Sequence, residues 1–375
     1  MAEKSNLEGR REKLATYLPF DASETPKWRT KEEVPISEMI RKIMDYRKKW
    51  EEAKSANVYD EKLVEKVRSQ FLVEFIFHVN MEEEKGFGTF EETEEFLNSF
   101  HARGGNLQRP LSITEQETIN LRKAYEHLLG KMEREEEESD YGLIESSLLE
   151  ETHRILMEDT DLPQGKTKPG KFSVERRYVE FNGELYKYPH YPKPGDMETA
   201  VYKLLDKYND MFDLCTKGGL KEFEDFYYLF KTCAWLLFEL LDLHPFGNGN
   251  GRLCRILCSY LLSKFTPFPT PVYNVWTESR KNDYRQALVD TRKSEGRQPT
   301  TLTTMIIECS YYGWGKFFEA LEENKGMDLL ILTDRMCNSY KLDGGMRDGN
   351  RKSCVTDVTR RTATLNKQDR DKNSY

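Results

Sequence analysis

His244-Pro245-Phe246-Gly247-Asn248-Gly249-Asn250-Gly251-Arg252-Leu253-Cys254-Arg255 is the stretch whose reading decides how this 375-residue chain is understood. Pro245 has no N–H to continue a preceding helix and restrains the residue before it, so the His244 imidazole is expected on a loop at a helix end. Phe246 can anchor that loop by burial. Gly247, Gly249 and Gly251 permit positive φ and a close approach of ligand to backbone. A helix starting at Arg252 then directs the unpaired N–H groups of 249–251, with the positive end of the helix, toward an anion. Arg252 and Arg255 stand i, i+3 on nearly one face and can bracket a polyphosphate with charge-assisted bonds. Taken singly, a glycine-rich helix start is only a turn and a lone histidine only a helix cap. Together the dozen residues place a general base beside a phosphate site, the arrangement of an enzyme that uses a nucleotide. The chain has no GxxxxGK[ST], no dinucleotide fingerprint after a strand and no kinase signature, so the phosphate site belongs to another class.

Outward from this loop the chain reads as helices. Residues 223–243, with Phe226, Tyr227, Leu229, Phe230, Leu236, Leu237, Leu240 and Leu241, are apolar enough for the central buried helix of a bundle. After the signature a helix is predicted to Lys264, ended by Pro267, Pro269 and Pro271, with further helices at roughly 280–293 and 301–322. Upstream, residues 161–195 are rich in glycine, proline and aromatics. Phe172, Val174, Tyr178, Val179 and Phe181 precede Asn182-Gly183, and Leu185, Tyr186 and Tyr188 can supply the return strand of a hairpin. So small a hairpin has no core of its own and is expected to be a flap over something. Helical spacing is predicted over 37–53, over 60–78 with Val79 just past its end, over 141–157 and over 197–208. Thr89 and Glu92 suit a capping box opening a helix through Phe100, and another is expected after Pro110, capped by Ser112 or Thr114 and ending near Gly130. Residues 1–30, with Pro19 and Pro26, are expected as an irregular lead-in to an N-terminal helical extension covering 1–59, and 341–375 as disordered. The run Glu133–Glu138 reads as a solvated helix face.

Composition narrows the function classes. Fifty-seven Lys and Arg stand against sixty-five Asp and Glu, a formal net charge of -8, so no global attraction to nucleic acid or acidic membranes is expected. Seven cysteines, an odd number without paired CxxC units, read as ordinary buried thiols, with Cys254 and Cys258 in the core. Residues 1–13 are charged and lack an apolar segment, and the most apolar stretches, 71–79 and 234–243, fall short of the roughly 20 residues that cross a bilayer. A soluble intracellular protein, cytoplasmic or nuclear, is expected. His78, His101, His127, His153 and His190 lack metal-ligand spacing and are expected in capping or surface roles, while Trp235, Trp276 and Trp314 are expected to pack the bundle.

The stretch 244–255 resembles the signature of Fic-domain proteins, HxFx(D/E)GNGRxxR, at every fixed position except one, and the order of elements over about residues 60–320 resembles that family too. The resemblance implies an all-α, Fic-type helical bundle with a small β-hairpin flap, its core over 60–325 and a C-terminal extension over 326–375. It implies transfer of AMP from ATP to a Ser, Thr or Tyr hydroxyl of a target protein, with Mg²⁺ or Mn²⁺. His244 would take the hydroxyl proton and Phe246 would orient its loop. Gly249, Asn250 and Gly251 would cradle the α- and β-phosphates, and Arg252 and Arg255 would bind the β- and γ-phosphates. The flap, 171–188, would align the target chain through Lys171, Phe172, Val174 and Tyr188, with Tyr188 to Tyr191 touching adenine or target. The expected partners are ATP and the target protein, with a homodimer left open and neither nucleic acid nor membrane.

The departure is Asn248, where the family places Asp or Glu to hold Mg²⁺. A neutral amide weakens the metal site, and leaves open a slow transferase, a hydrolase removing AMP from modified protein, or a low-activity nucleotide-binding regulatory protein. The stretch Val79-Asn80-Met81-Glu82-Glu83-Glu84 resembles a degraded form of the family's inhibitory motif, (S/T)xxxE(G/N), at the end of a helix over about 63–84. By register Glu83 would pair with Arg255 and block the γ-phosphate. The competing reading is a surface acidic patch.

Overall fold

Apolar residues at helical spacing dominate this chain, and the computed structural model answers with eleven α-helices and one hairpin among the described residues. Those residues are 2–22, 26, 28, 29, 34–105, 107–135, 143–160, 167–275 and 280–339. The chain divides into a unit of residues 1–321 and a second of residues 322–375, and the packing and site described below belong to the first. The expected disorder of 341–375, Trp276 and most of the 133–138 acidic run lie outside the described residues or side chains.

The first helix is a correction. α1 (Ala2–Tyr17) occupies the expected irregular lead-in. Its sequence has almost no apolar stripe, so periodicity does not reveal it. Tertiary contacts hold it instead: Leu14 and Leu18 are buried, and Arg11 donates to Asp225 Oδ1 from both Nε (3.0 Å) and Nη2 (2.8 Å). α2 (Ile36–Ser55) follows, then α3 (Glu61–Glu82), opened by Asp60, whose side chain accepts the Lys62 N–H. α3 runs a turn past the 60–78 read from spacing, nearly to the end of the 63–84 helix the resemblance implied, because Val79 is buried and continues the stripe of Phe75 and Ile76. α4 (Phe90–Ala102) has the expected capping box of Thr89 and Glu92. In α5 (Ile113–Glu135) the cap is Ser112, whose Oγ accepts the Glu115 N–H (3.3 Å) while Glu115 returns the bond to the Ser112 N–H (2.8 Å). α5 continues through Gly130, and α6 (Ser146–Leu156) begins later than expected.

The hairpin is β1 (Tyr178–Phe181) against β2 (Glu184–Lys187), antiparallel, with Tyr178 opposite Lys187 and Phe181 opposite Glu184. Asn182 (φ 51°) and Gly183 (φ 76°) both take the left-handed conformation that a two-residue turn of this hand requires. Phe172 and Val174, expected on its first strand, lie outside it. α7 (Pro194–Thr216) is longer than expected at both ends, since Met211, Phe212 and Cys215 extend its buried face.

α8 (Phe223–Leu243) has the predicted limits and is buried along nearly its whole length, with α7, α9 and α2 packed around it. α9 (Asn250–Leu262) starts two residues before Arg252 and is buried throughout. α10 (Arg280–Lys293), a short 3-10 turn at 295–297 and α11 (Thr300–Ser339) are the last of the described elements. Trp235 and Trp314 are buried, as are Cys215, Cys233, Cys254, Cys258 and Cys309, all unbridged. Among the described residues no helix is long and apolar enough to cross a membrane.

Candidate active site

α8 ends where its sequence says it must. His244 caps it in the left-handed conformation (φ 53°, ψ 58°), its N–H still reaching Leu240 O (3.0 Å), and Pro245 stops the next turn. A side-chain-bearing residue held there carries backbone strain of about 1–3 kcal/mol, kept because the surroundings over-determine it. Those surroundings are the signature itself. Phe246 is fully buried, and the Asn250 side chain clips its backbone on both sides: Oδ1 accepts the Phe246 N–H (3.0 Å) and Nδ2 donates to Phe246 O (2.8 Å). Arg177 Nη1 donates to the same carbonyl (2.7 Å), and the Ser173 N–H to Pro245 O (2.8 Å). The Asn250 side chain is thus a clip for the loop.

A histidine that the sequence leaves among the capping and surface residues lies under this loop. His153 of α6 is buried and stacks on Phe246, ring centroids 3.9 Å apart and planes 9° from parallel. Its Nδ1 accepts the Gly170 N–H (2.9 Å), so Nε2 carries the proton and donates to Asn248 O (2.9 Å). Burial lowers its pKa to about 4, so the ring is neutral at physiological pH. Met157, one turn on, lies so close to Gly249 (φ 73°) that a Cβ there would be 2.7 Å from its sulfur.

The front of the loop faces a cavity of about 180 Å³, walled by the end of α3, the hairpin, the end of α8, the start of α9 and α10. His244 lines it; its Nδ1 lies 3.2 Å from Leu241 O, which assigns the proton to Nδ1 and the basic lone pair to Nε2. Tyr188 stacks on His244 with centroids 4.0 Å apart and planes at 16°. Burial raises the pKa of its phenol. Arg255, buried at the back, donates from Nε to Glu83 Oε1 (3.3 Å), lies 3.8 Å from Glu82 and sets its guanidinium 3.8 Å from the centroid of the Tyr284 ring. Burial opposes its charge, but Tyr284, Glu83 and Glu82 together outweigh it and raise its pKa.

Glu83 therefore sits on Arg255, and it also sits over the start of α9. A Cβ built on Gly251 would be 2.3 Å from Glu83 Oε1. The carboxylate lies where the first-turn N–H groups and the positive end of α9 favour an anion. The surface-patch reading does not describe this place, since the Glu83 side chain is 32% exposed and lines the cavity.

Other predicted residues are not brought here. Arg252 is buried behind the loop; its Nη2 donates to Met157 Sδ (3.4 Å), and its Nη1 has no hydrogen-bond partner among the described residues. Lys171 is exposed on a turn 3.6 Å from Glu150, Phe172 packs on Phe246 at 5.2 Å, and Val174 O lies 3.1 Å from His190 Nε2. Residues 171–174 support the loop and are not a strand edge. Asn248 is exposed, its Oδ1 accepting the Gly249 N–H (2.8 Å). A neutral amide engaged with its own loop is a poor donor to a hard cation. No group of three or more His, Cys, Asp or Glu able to hold a metal occurs among the described residues. These residues do not fit a resident Mg²⁺ or Mn²⁺ ion.

α10 contributes a wall that motif reading missed: Tyr284, Arg285, Leu288, Val289 and Arg292. The signal was there as i, i+4, i+8 spacing of Tyr284, Leu288 and Arg292, an aromatic, an aliphatic and a cation on one face. His153 left no such local sign.

The architecture is a helical bundle with a small β-hairpin, and the comparisons agree with it. Residues 143–262 match the Fic/DOC family. A Fido domain-containing protein of Dictyostelium discoideum is 30% identical over 132 residues, 34% of this chain and 82% of that protein. The ribonucleoside-diphosphate reductase small chain of Ostreid herpesvirus 1 (isolate France) is 30% identical over 186 residues, 49% of this chain but only 28% of that protein. Among solved structures, a Fic domain containing signaling protein from Bacteroides thetaiotaomicron superposes with a TM-score of 0.56 at 17% identity, covering 76% of this chain and 97% of that one. Fic-1 from C. elegans gives 0.52 at 16% identity over 77% and 73%. This chain belongs to the Fic family.

Proposed function

We propose that the chain transfers AMP from ATP to a Ser, Thr or Tyr hydroxyl of a target protein, held back by Glu83. Family membership supports nucleotidyl transfer or a related activity, and Fic-domain proteins are commonly transferases. One observation carries the narrower reading: His244, Gly251 and Arg255 face one cavity, and a carboxylate already occupies its anion position. In the reaction His244 Nε2 takes the proton from the target hydroxyl, whose oxygen bonds to the α-phosphorus. The bond from that phosphorus to its bridging oxygen breaks, and pyrophosphate leaves with the electron pair. Arg255 and the amides at the start of α9 would neutralise charge on the phosphates. Glu83 must leave Arg255 before a triphosphate can take its place. Mg²⁺ or Mn²⁺ would enter bound to ATP, as part of the substrate. A second reading, hydrolysis of an AMP–protein ester, is favoured by the same Glu83 carboxylate beside a signature without Asp or Glu at 248.

The test is transfer of label from α-³²P-ATP, with Mg²⁺ and with Mn²⁺, in wild type, Glu83→Gly, Asn248→Asp and His244→Ala. Labelled protein that increases in the first two variants and disappears in the third is expected. Tight ATP binding without label in any variant would overturn transfer and favour AMP removal or nucleotide sensing.

A further inference from the structure

We propose that His153 is a positioning residue of the signature loop, fixing the direction of the Gly249 N–H by holding the carbonyl of Asn248. The proposal deepens the transfer reading above and rests on it for its kinetic arm. It starts from a geometric fact of the backbone: the peptide between Asn248 and Gly249 is planar and trans, so its C=O and N–H point in opposite directions. Whatever holds one end aims the other.

His153 holds that carbonyl at 2.9 Å from Nε2. The bond needs the Nε2–H tautomer, and the Gly170 N–H enforces it by donating to Nδ1 at 2.9 Å. Stacking on Phe246 at 3.9 Å and 9° fixes the plane of the ring. Three segments distant in sequence thus meet at one imidazole: α6, the 167–175 segment and the signature. The turn needs glycine at 249, whose φ is 73° and where an added Cβ would lie 2.7 Å from Met157 Sδ. With the carbonyl drawn back onto α6, the Gly249 N–H faces away from α6. There it meets Asn248 Oδ1 at 2.8 Å, a weak neutral acceptor that a phosphate oxygen can displace. His153 touches neither the cavity nor the reacting atoms, so its influence is through the loop.

The test uses the full chain in the Glu83→Gly background, comparing His153, His153→Phe and His153→Gln. Phenylalanine keeps the stack and loses both hydrogen bonds; glutamine keeps a donor and an acceptor. Amide hydrogen exchange of residues 249–251 is read by NMR without any turnover, beside kcat and KM for ATP. His153→Phe should speed exchange at 249–251 by about tenfold or more and lower kcat by about 10- to 100-fold, with exchange elsewhere unmoved. His153→Gln should recover part of both. Unchanged exchange at 249–251 in the Phe variant overturns the proposal, and so does acceleration spread over the whole protein, which marks a merely structural role. If no variant transfers label, the transfer reading fails while exchange still decides the loop. Should the Phe variant not fold, the Gln variant decides: local loop protection within about threefold of His153 supports the proposal, and general loss of protection overturns it.

Discussion

At residue 251 the fold and the proposed inhibition make opposite demands on one backbone position. Gly251 lies in the first turn of α9, where alanine ordinarily stabilises by about 1 kcal/mol over glycine. Here a Cβ would meet Glu83 Oε1 at 2.3 Å and its Cδ at 2.5 Å. Gly251→Ala is therefore expected to lower the unfolding midpoint in wild type and to raise it in the Glu83→Gly background, a reversal that calorimetry on the four proteins would detect. Simple additivity would show that Glu83 does not hold this place in solution. Glu83→Gly should also strengthen ATP binding, by about 10- to 100-fold if one charge-assisted bond is released, measured by titration calorimetry. Arg255 stays accommodated in that variant, since Val272 O, Glu82 and the Tyr284 ring remain around it. At this scale the sequence was legible where residues act through their immediate neighbours: His244 at a helix end, Phe246 buried, glycines at the turn. The Asn250 side chain went unread as a loop clip because it serves the backbone four residues back. His153 went unseen because its partners stand up to 95 positions away.

The hairpin and α10 act as one wall. Two strands of four residues cannot hold themselves together in water, so β1 and β2 depend on what they touch. Arg292 packs over Tyr186 (5.4 Å) and Tyr188 (5.9 Å) while its guanidinium pairs with Asp242 of α8. Arg297 braces the same acidic site through Glu239 and Asp242 at 2.7–3.1 Å. Lys293 reaches Glu184 at 2.9 Å, but both side chains are more than half exposed, and such a pair is worth little. Arg292→Ala is accordingly expected to loosen the hairpin by about 1–2 kcal/mol, and Lys293→Ala to leave it nearly unchanged. Hydrogen exchange at 178–187 measures both, and equal effects would refute this division. The Asn-Gly turn made the hairpin legible in the sequence. Its contact with α10 was not, because cations on a surface helix give no hint of which aromatic rings will stack beneath them.

Over the whole unit, the N-terminal segment is bound to the bundle by charges. Besides the Arg11–Asp225 pair, Lys231, buried in α8, donates to Asp21 (2.6 Å) and Pro19 O, and Arg29 pairs with Glu308 of α11 with both side chains at most 4% exposed. Removing one partner of a buried pair strands the other charge, so Arg29→Ala should cost about 3–5 kcal/mol in urea unfolding; a loss under about 1 kcal/mol would mean that water reaches Glu308. Acid should also weaken the fold. The hydrogen bond from His78, aided by Lys316 and opposed by burial, lowers the Glu74 pKa to about 2 from its ordinary 4.5. The unfolded chain then binds a proton that the native chain refuses. The contribution is fully present above pH 4.5, fades as pH falls and is gone below pH 2. Glu74→Gln should flatten this part of the pH dependence of the urea midpoint. Sequence by itself determined the helices whose apolar stripes exceed three turns, the cap at Thr89, the hairpin turn and the glycine-rich loop between α8 and α9, because each is set by neighbours within a few residues. Tertiary structure alone decided that α1 is a helix, that His153 supports the loop and that Glu83 lies over Gly251. Those depend on atoms brought together by packing, and no local spacing encodes which distant side chain will fill a given place.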